Sequence, residues 1–223
     1  MTKASEPPRR ERLNRDRVLR TALSLADQGG FDGLSMRKLA EQLGVVPMAL
    51  YKHVADKDEL LDGMVDLVFG EVEVPTGVAW KSAMRVRATS MRDALRRHPW
   101  AIGRMETGTP GPANLRHHNA VLGCLRRDAG FPFRTAVHAY SLMDSYIYGF
   151  ALQDRSMGDI PAEAKRRRDV VEQRHPDPAG VYPYLVELAE QFAEHGYDYT
   201  SEFEFGLDLI LDGIQRLKRR PPS

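Results

Sequence analysis

Residues 35–54, SMRKLAEQLGVVPMALYKHV, constrain this chain more than any other stretch. Ser35 is a good helix N-cap, Leu39, Ala40 and Leu43 fall on one face of a short helix, and Gly44 suits the left-handed residue that ends it. Pro47 fits the first turn of the next helix, in which Leu50 and Val54 lie one turn apart and face inward. Two short helices meeting at a glycine turn make a helix-turn-helix, whose second helix lies in the DNA major groove. Ala40 keeps the first helix thin where the second crosses it. With Leu39, Leu43, Leu50 and Val54 read as core, Met48, Ala49, Tyr51, Lys52 and His53 are left to face DNA. The polar tips of Tyr51 and His53 suit phosphate contacts, and Lys52 reaches a phosphate or a guanine edge. The same two rings would also suit the half-buried side of a generic helical hairpin.

The rest of the chain reads as helical. Val18, Ala22, Leu25 and Ala26 form one stripe over 15–28, stopped by Gly29 and Gly30. Asp56 caps a fourth helix, with Glu59 three residues on in a capping-box-like pattern and Leu60, Leu61, Met64, Leu67 and Val68 on its apolar face. Lys57 stands at its start, where backbone N–H groups favour a phosphate. Further helices are expected over about 79–98, briefly to Met105, then 113–128, 133–153, 181–195 and 201–219, with a break at the GTPGP run of 108–112. The 133–153 helix is apolar on more than one side, so it is expected to be sandwiched. Residues 156–180, with KRRR and two prolines, read as a mobile polar loop with room for one helical stretch. Residues 1–12 read as a disordered basic arm. No alternating strand pattern and no repeat is evident, so the fold class is all-α.

Charge adds direction. Residues 1–53 hold ten basic and six acidic residues, a surplus of four, whereas the whole chain sums to only +1. A positive end on a mildly acidic body suits a DNA-binding head. With 42% hydrophobic residues the chain is too apolar for general disorder. It has no apolar leader at its start and no stretch of the roughly 18–20 apolar residues that span a bilayer, so a cytoplasmic protein without a membrane partner is expected. Cys124 is the single cysteine. Paired with His117 or His118 it would make a nucleophile and base, but it lies on an apolar helix face without an activating signature. No metal-ligand spacing or phosphate-cradling glycine loop is present, and the expectation is no catalysis, no metal and no cofactor.

Residues 13–64 resemble the DNA-binding head of TetR-family repressors, continuously over that segment. The resemblance extends more weakly through the Trp80 helix, the GTPGP break, the RRDAGF segment and the final helix, toward the tetracycline-repressor-like subgroup. It implies a three-helix helix-turn-helix domain over 13–60, followed by a helical ligand-binding and dimerisation domain over 61–220. It also implies phosphate contacts from Tyr51, His53 and Lys57, support from Arg37, and base readout near Pro47, Met48, Ala49 and Lys52. Those last positions differ from the Gln-Pro-Thr-Trp of the tetracycline repressor, which implies a different operator. The implied function is a homodimeric repressor released from a palindromic operator in double-stranded DNA by a small-molecule effector. A constitutive regulator without a ligand, and an activator, both stay open.

Phe203, Leu207, Ile210, Ile214 and Leu217 are spaced four, three, four and three, a seam for another helix, either inside the subunit or across a dimer. The resemblance implies the dimer, through a four-helix bundle with the 133–153 helix. It further implies a ligand chamber with Arg87, Met91, His98, Trp100, Arg104, Met105, His118, Leu122, Tyr140, Met143 and Tyr146 as candidate contacts. Met105 stands where the tetracycline repressor has a magnesium-ligating histidine, and Arg87 and Leu122 replace its asparagine and glutamine. A thioether is a poor ligand for a hard cation. The expected effector is therefore not magnesium–tetracycline but a more apolar, even anionic molecule held by Met91, Trp100, Leu122 and Tyr146, with Arg87 or Arg104 as charge partner.

Overall fold

The computed structural model describes residues 12–157, 160–175, 177–196 and 198–218, and among these there are helices and turns but no strand. The expected basic arm, Arg12 apart, lies outside the described residues. The head comprises α1 (Arg15–Gly33), α2 (Met36–Leu43) and α3 (Pro47–Leu50). Its boundaries follow local chemistry. The Asn14 side chain accepts from Arg17 N at 2.8 Å, and Ser35 Oγ accepts from Lys38 N at 3.2 Å. Gly44 takes φ 67° and ψ 35° to end α2. α1 breaks at Gly30 with φ 65° and resumes for one turn before Leu34. Regular helix in α3 ends earlier than expected, at Leu50, whose carbonyl accepts from both His53 N (2.8 Å) and Val54 N (3.1 Å). Val18, Ala22, Leu39, Leu43, Leu50 and Val54 are buried together, each large side chain contributing about 1.5–3 kcal/mol.

α4 (Lys57–Gly70) joins head to body. Asp56 caps it by accepting from Glu59 N at 2.8 Å, while the Glu59 carboxylate accepts from Ala55 N at 2.6 Å and pairs with Arg15 of α1 at 3.1 Å. Gly63 lies so close to Leu19 of α1 that an added Cβ would displace that side chain. The opposite side of α4 packs on α6.

The body holds α5 (Trp80–Arg97), a 3-10 turn (Pro99–Gly103), α6 (Pro112–Gly123) running into one wide turn (Cys124–Asp128), α7 (Phe133–Met157), α8 (Ile160–Arg174), α9 (Pro178–Val181), α10 (Pro183–His195) and α11 (Tyr199–Leu217). α7 lies between α5 and α11, and its buried line of Ala136, Ala139, Met143, Ile147 and Ala151 is small enough to bring all three close. The third side of α7, with Val137, Leu142 and Leu152, is exposed.

Two expectations are corrected. Residues 160–174 form a regular helix where a mobile polar loop was expected. AEAKRRRDVVEQR is polar, but it is built from strong helix formers and carries an i,i+4 pair, Lys165–Asp169, at 2.8 Å. In α11 the expected intersubunit seam faces inward. Phe203, Leu207 and Ile214 are buried within this chain, together with Leu211, while Ile210 is half-buried and Leu217 exposed. Tyr146 of α7 stacks on Phe203 and donates to its carbonyl at 3.0 Å. Gly206 is the residue that admits the Tyr146 hydroxyl, since a Cβ there would collide with it. Phe205 and Leu209 are the apolar residues on the outward side, 65% and 61% exposed. Among the described residues no helix is long and apolar enough to cross a membrane.

Candidate nucleic-acid interface and interior polar site

Leu50, fully buried, anchors α3 from behind, and this turns Met48 (71% exposed), Tyr51, Lys52 and Pro47 outward. Ala49 and His53 are half-buried beside them, with the His53 carbonyl 3.5 Å from Arg15 Nη1. Arg37 of α2 and Lys57 of α4 are exposed. Among the described residues Arg37, Lys52 and Lys57 enter no ion pair, so their charge remains available to a phosphate. Asp56 already occupies the N–H of Glu59 at the start of α4, so Lys57 acts there through its ammonium rather than through the helix terminus.

A second cluster joins head to body. His98 Nδ1 lies 2.8 Å from Asp27 Oδ1 of α1, and His98 Nε2 lies 3.1 Å from Glu71 Oε1. Trp100 donates its indole N–H to Asp27 at 2.7 Å and meets Phe31 edge to face at 5.6 Å. Glu71 is also bonded by Arg97 at 2.6 Å. Burial pushes the Glu71 carboxyl up, but the hydrogen bonds from Arg97 and His98 outweigh it and hold it below its ordinary range.

The third cluster is interior, between α5, α6 and α7. Arg87 of α5 is completely buried and pairs with Asp144 of α7. Its Nε lies 3.3 Å from His117 Nε2 of α6, and its guanidinium lies 5.3 Å above the Tyr140 ring. Tyr140 is hydrogen-bonded to His118, and Phe69 of α4 packs on both His117 and His118 at 5.3 and 5.6 Å. Burial and the Arg87 charge push His117 down to about 3. Burial lowers His118 as well, and raises the Tyr140 and Asp144 groups, against the pull of Arg87 on both. A single buried arginine thus organises two histidines, a tyrosine and a carboxylate in a dry setting.

Residues 18–64 match the family described as "Bacterial regulatory proteins, tetR family", and residues 75–217 match "Tetracyclin repressor-like, C-terminal domain". The chain belongs to the TetR family. This TetR-family chain is 33% identical over 217 residues to the HTH-type transcriptional repressor DrrR1 of Streptomyces coeruleorubidus, covering 92% of this chain and 78% of that one. It is 35% identical over 210 residues to the tetracycline repressor protein class A from transposon 1721 of Escherichia coli, covering 92% of each. Among solved structures, Streptomyces coelicolor ActR in complex with actinorhodin superposes with a TM-score of 0.76 at 29% identity, over 91% of this chain and 95% of that one.

Within this TetR-family fold the eleven expected ligand contacts do not form one site. Arg87, His118 and Tyr140 meet in the interior cluster, and Met91 and Met143 are fully buried core. His98 and Trp100 instead hold the head, and Tyr146 holds α11. Leu122 lines an outer cleft of about 460 Å³ with Pro75, Thr76 and Arg127. Arg104 pairs with Asp58 at 3.3 Å, and Met105 is buried in the segment beyond it. That segment is held by α4. Asp62 accepts from Thr109 N at 3.0 Å and Asp66 from Asn114 N at 2.8 Å, and a Cβ on Gly108 or Gly111 would strike those carboxylates. Sequence reasoning missed Asp27, Glu71, Asp62, Asp66, Asp144 and Tyr148. The i,i+4 spacing of Asp58, Asp62 and Asp66 on α4, and a carboxylate within the apolar run of α7, were the available signals.

Proposed function

We propose that the protein is a homodimeric, cytoplasmic transcriptional repressor that leaves a palindromic operator when a small molecule enters the body between α5, α6 and α7. The exposed row of Arg37, Tyr51, Lys52 and Lys57, set by a short α3 anchored through Leu50, carries the DNA reading. Dimerisation through the outward sides of α7 and α11 supplies the second half-site, because one short recognition helix gives too little affinity alone. The buried polar cluster around Arg87 supports the effector reading, in line with a relative of the same fold seen bound to actinorhodin. The effector is not magnesium–tetracycline, since Met105 offers only a thioether and Leu122 faces the outer cleft. The test is binding-site selection from random duplexes, followed by footprinting. A palindrome of roughly 15–20 base pairs, with half-sites about one helical turn apart, is expected. Equal binding to all duplexes at physiological salt would overturn the reading.

A further inference from the structure

We infer that the interior cluster takes a neutral, flat ring system that presents at least two oxygen acceptors to Arg87, His117 and Tyr148. This rests on the reading above, that the protein answers to a small molecule held in its body. Arginine Nε only donates, so His117 Nε2, 3.3 Å away, must accept. The neutral ring then carries its proton on Nδ1. That ring is held neutral by its burial and by the Arg87 charge, which push it down to about 3. His117 Nδ1, Arg87 Nη1 and the Tyr148 hydroxyl are all buried without a hydrogen-bond partner. Tyr148 is kept protonated, its group raised by burial and by Asp144. The cluster therefore holds three unanswered donors, and each buried donor left so weakens the folding equilibrium roughly tenfold.

What answers them must bring acceptors. An ammonium or amine ligand would add donors where donors are already in surplus. Arg87 is balanced by Asp144, so the ligand need not be an anion, which departs from the anionic effector expected from the sequence. The walls are apolar and flat: Phe69 packs on both histidines, Met91 stands one helical turn from Arg87, and Met143 lies between Tyr140 and Ile147 on α7. Carbonyl and phenolic oxygens at the edge of fused rings fit that combination.

The test is calorimetric titration of the full-length protein with dihydroxyanthraquinone, with anthracene, and with diaminoanthracene. These share ring shape and differ in acceptors and donors. Dihydroxyanthraquinone is expected to bind at least about tenfold more tightly than either of the others. Tyr148→Phe and His117→Phe should each weaken it about five- to tenfold while raising the melting temperature of the ligand-free protein, because each removes an unanswered donor. A merely structural residue would lower both. Equal affinity for anthracene, or unchanged affinity in Tyr148→Phe, would mean that buried water serves these donors and would overturn the inference. Tight binding of dihydroxyanthraquinone without release of operator DNA would sink the effector reading and leave the donor site standing.

Discussion

His98 Nδ1 stands 2.8 Å from Asp27 Oδ1, and this contact crosses from the regulatory body to the DNA-binding head. The same oxygen accepts the Trp100 indole N–H at 2.7 Å. One carboxylate on α1 therefore ties down two buried rings next to the 3-10 turn. Asp27→Ala leaves both without their acceptor, at a cost of about 1–3 kcal/mol in unfolding free energy. It also frees the head relative to the body. Urea unfolding and operator binding are both expected to weaken. Unchanged values in both would show that the contact does not couple the two parts.

For DNA binding, Tyr51→Ala and Lys57→Ala are expected to weaken binding to many duplexes alike, as phosphate contacts do. Lys57→Ala should also lower the slope of log affinity against log salt by up to about one. Substitutions at Met48 or Lys52, which lie exposed on and just after α3, should instead change the preferred base pairs. Gel-shift titration across salt concentrations separates the two classes. Operator affinity equal to the parent's in both alanine variants would remove α3 and the start of α4 from the interface.

Assembly divides the two sides of α11. Leu209→Glu places a charge on the outward side and is expected to give folded monomers by light scattering and circular dichroism, with loss of operator binding. Ile214→Arg places a charge among residues buried within the subunit, without a partner, and is expected to unfold it by about 3 kcal/mol or more. A Leu209→Glu protein that stays dimeric would move the interface elsewhere.

Acid sensitivity is expected from His117. Its folded value of about 3 lies below its ordinary 6.5. Between those two values the unfolded chain binds the extra proton and the folded chain does not. Stability from this group is complete above about pH 6.5 and falls as the pH drops, by at most about 1.4 kcal/mol per unit. Asp144, raised by burial, acts in the opposite direction at lower pH, so the readout is the difference between parent and variant. His117→Gln should flatten the dependence of denaturant midpoint on pH between about pH 7 and about pH 5. An identical dependence in the two proteins would remove His117 as its source.

How far the site was legible depended on range. Ser35, Gly44, Pro47 and Asp56 declare themselves because caps and turns are decided within four residues. With the ends of α2 and α3 set, Leu50 must face in, and Tyr51 and Lys52 must face out. The interior cluster resisted because its bonds span 30 to 57 residues, as in Arg87 with His117 and Arg87 with Asp144. An arginine in a mostly polar-looking stretch reads as a surface residue until its partner's position is known.

Local periodicity determined that this chain is a string of helices with a helix-turn-helix near its start, because backbone hydrogen bonding and side-chain stripes are written within one or two turns. Tertiary packing alone decided which stripe of each helix meets its own subunit. On α11 the four-three spacing of Phe203, Leu207, Ile210 and Ile214 is equally good for either partner, and Tyr146 settling over Gly206 turned it toward α7. His98 and Trp100 followed the same logic. Both suit a ligand chamber by residue type, and only the approach of Asp27 on α1 assigned them to the joint between head and body.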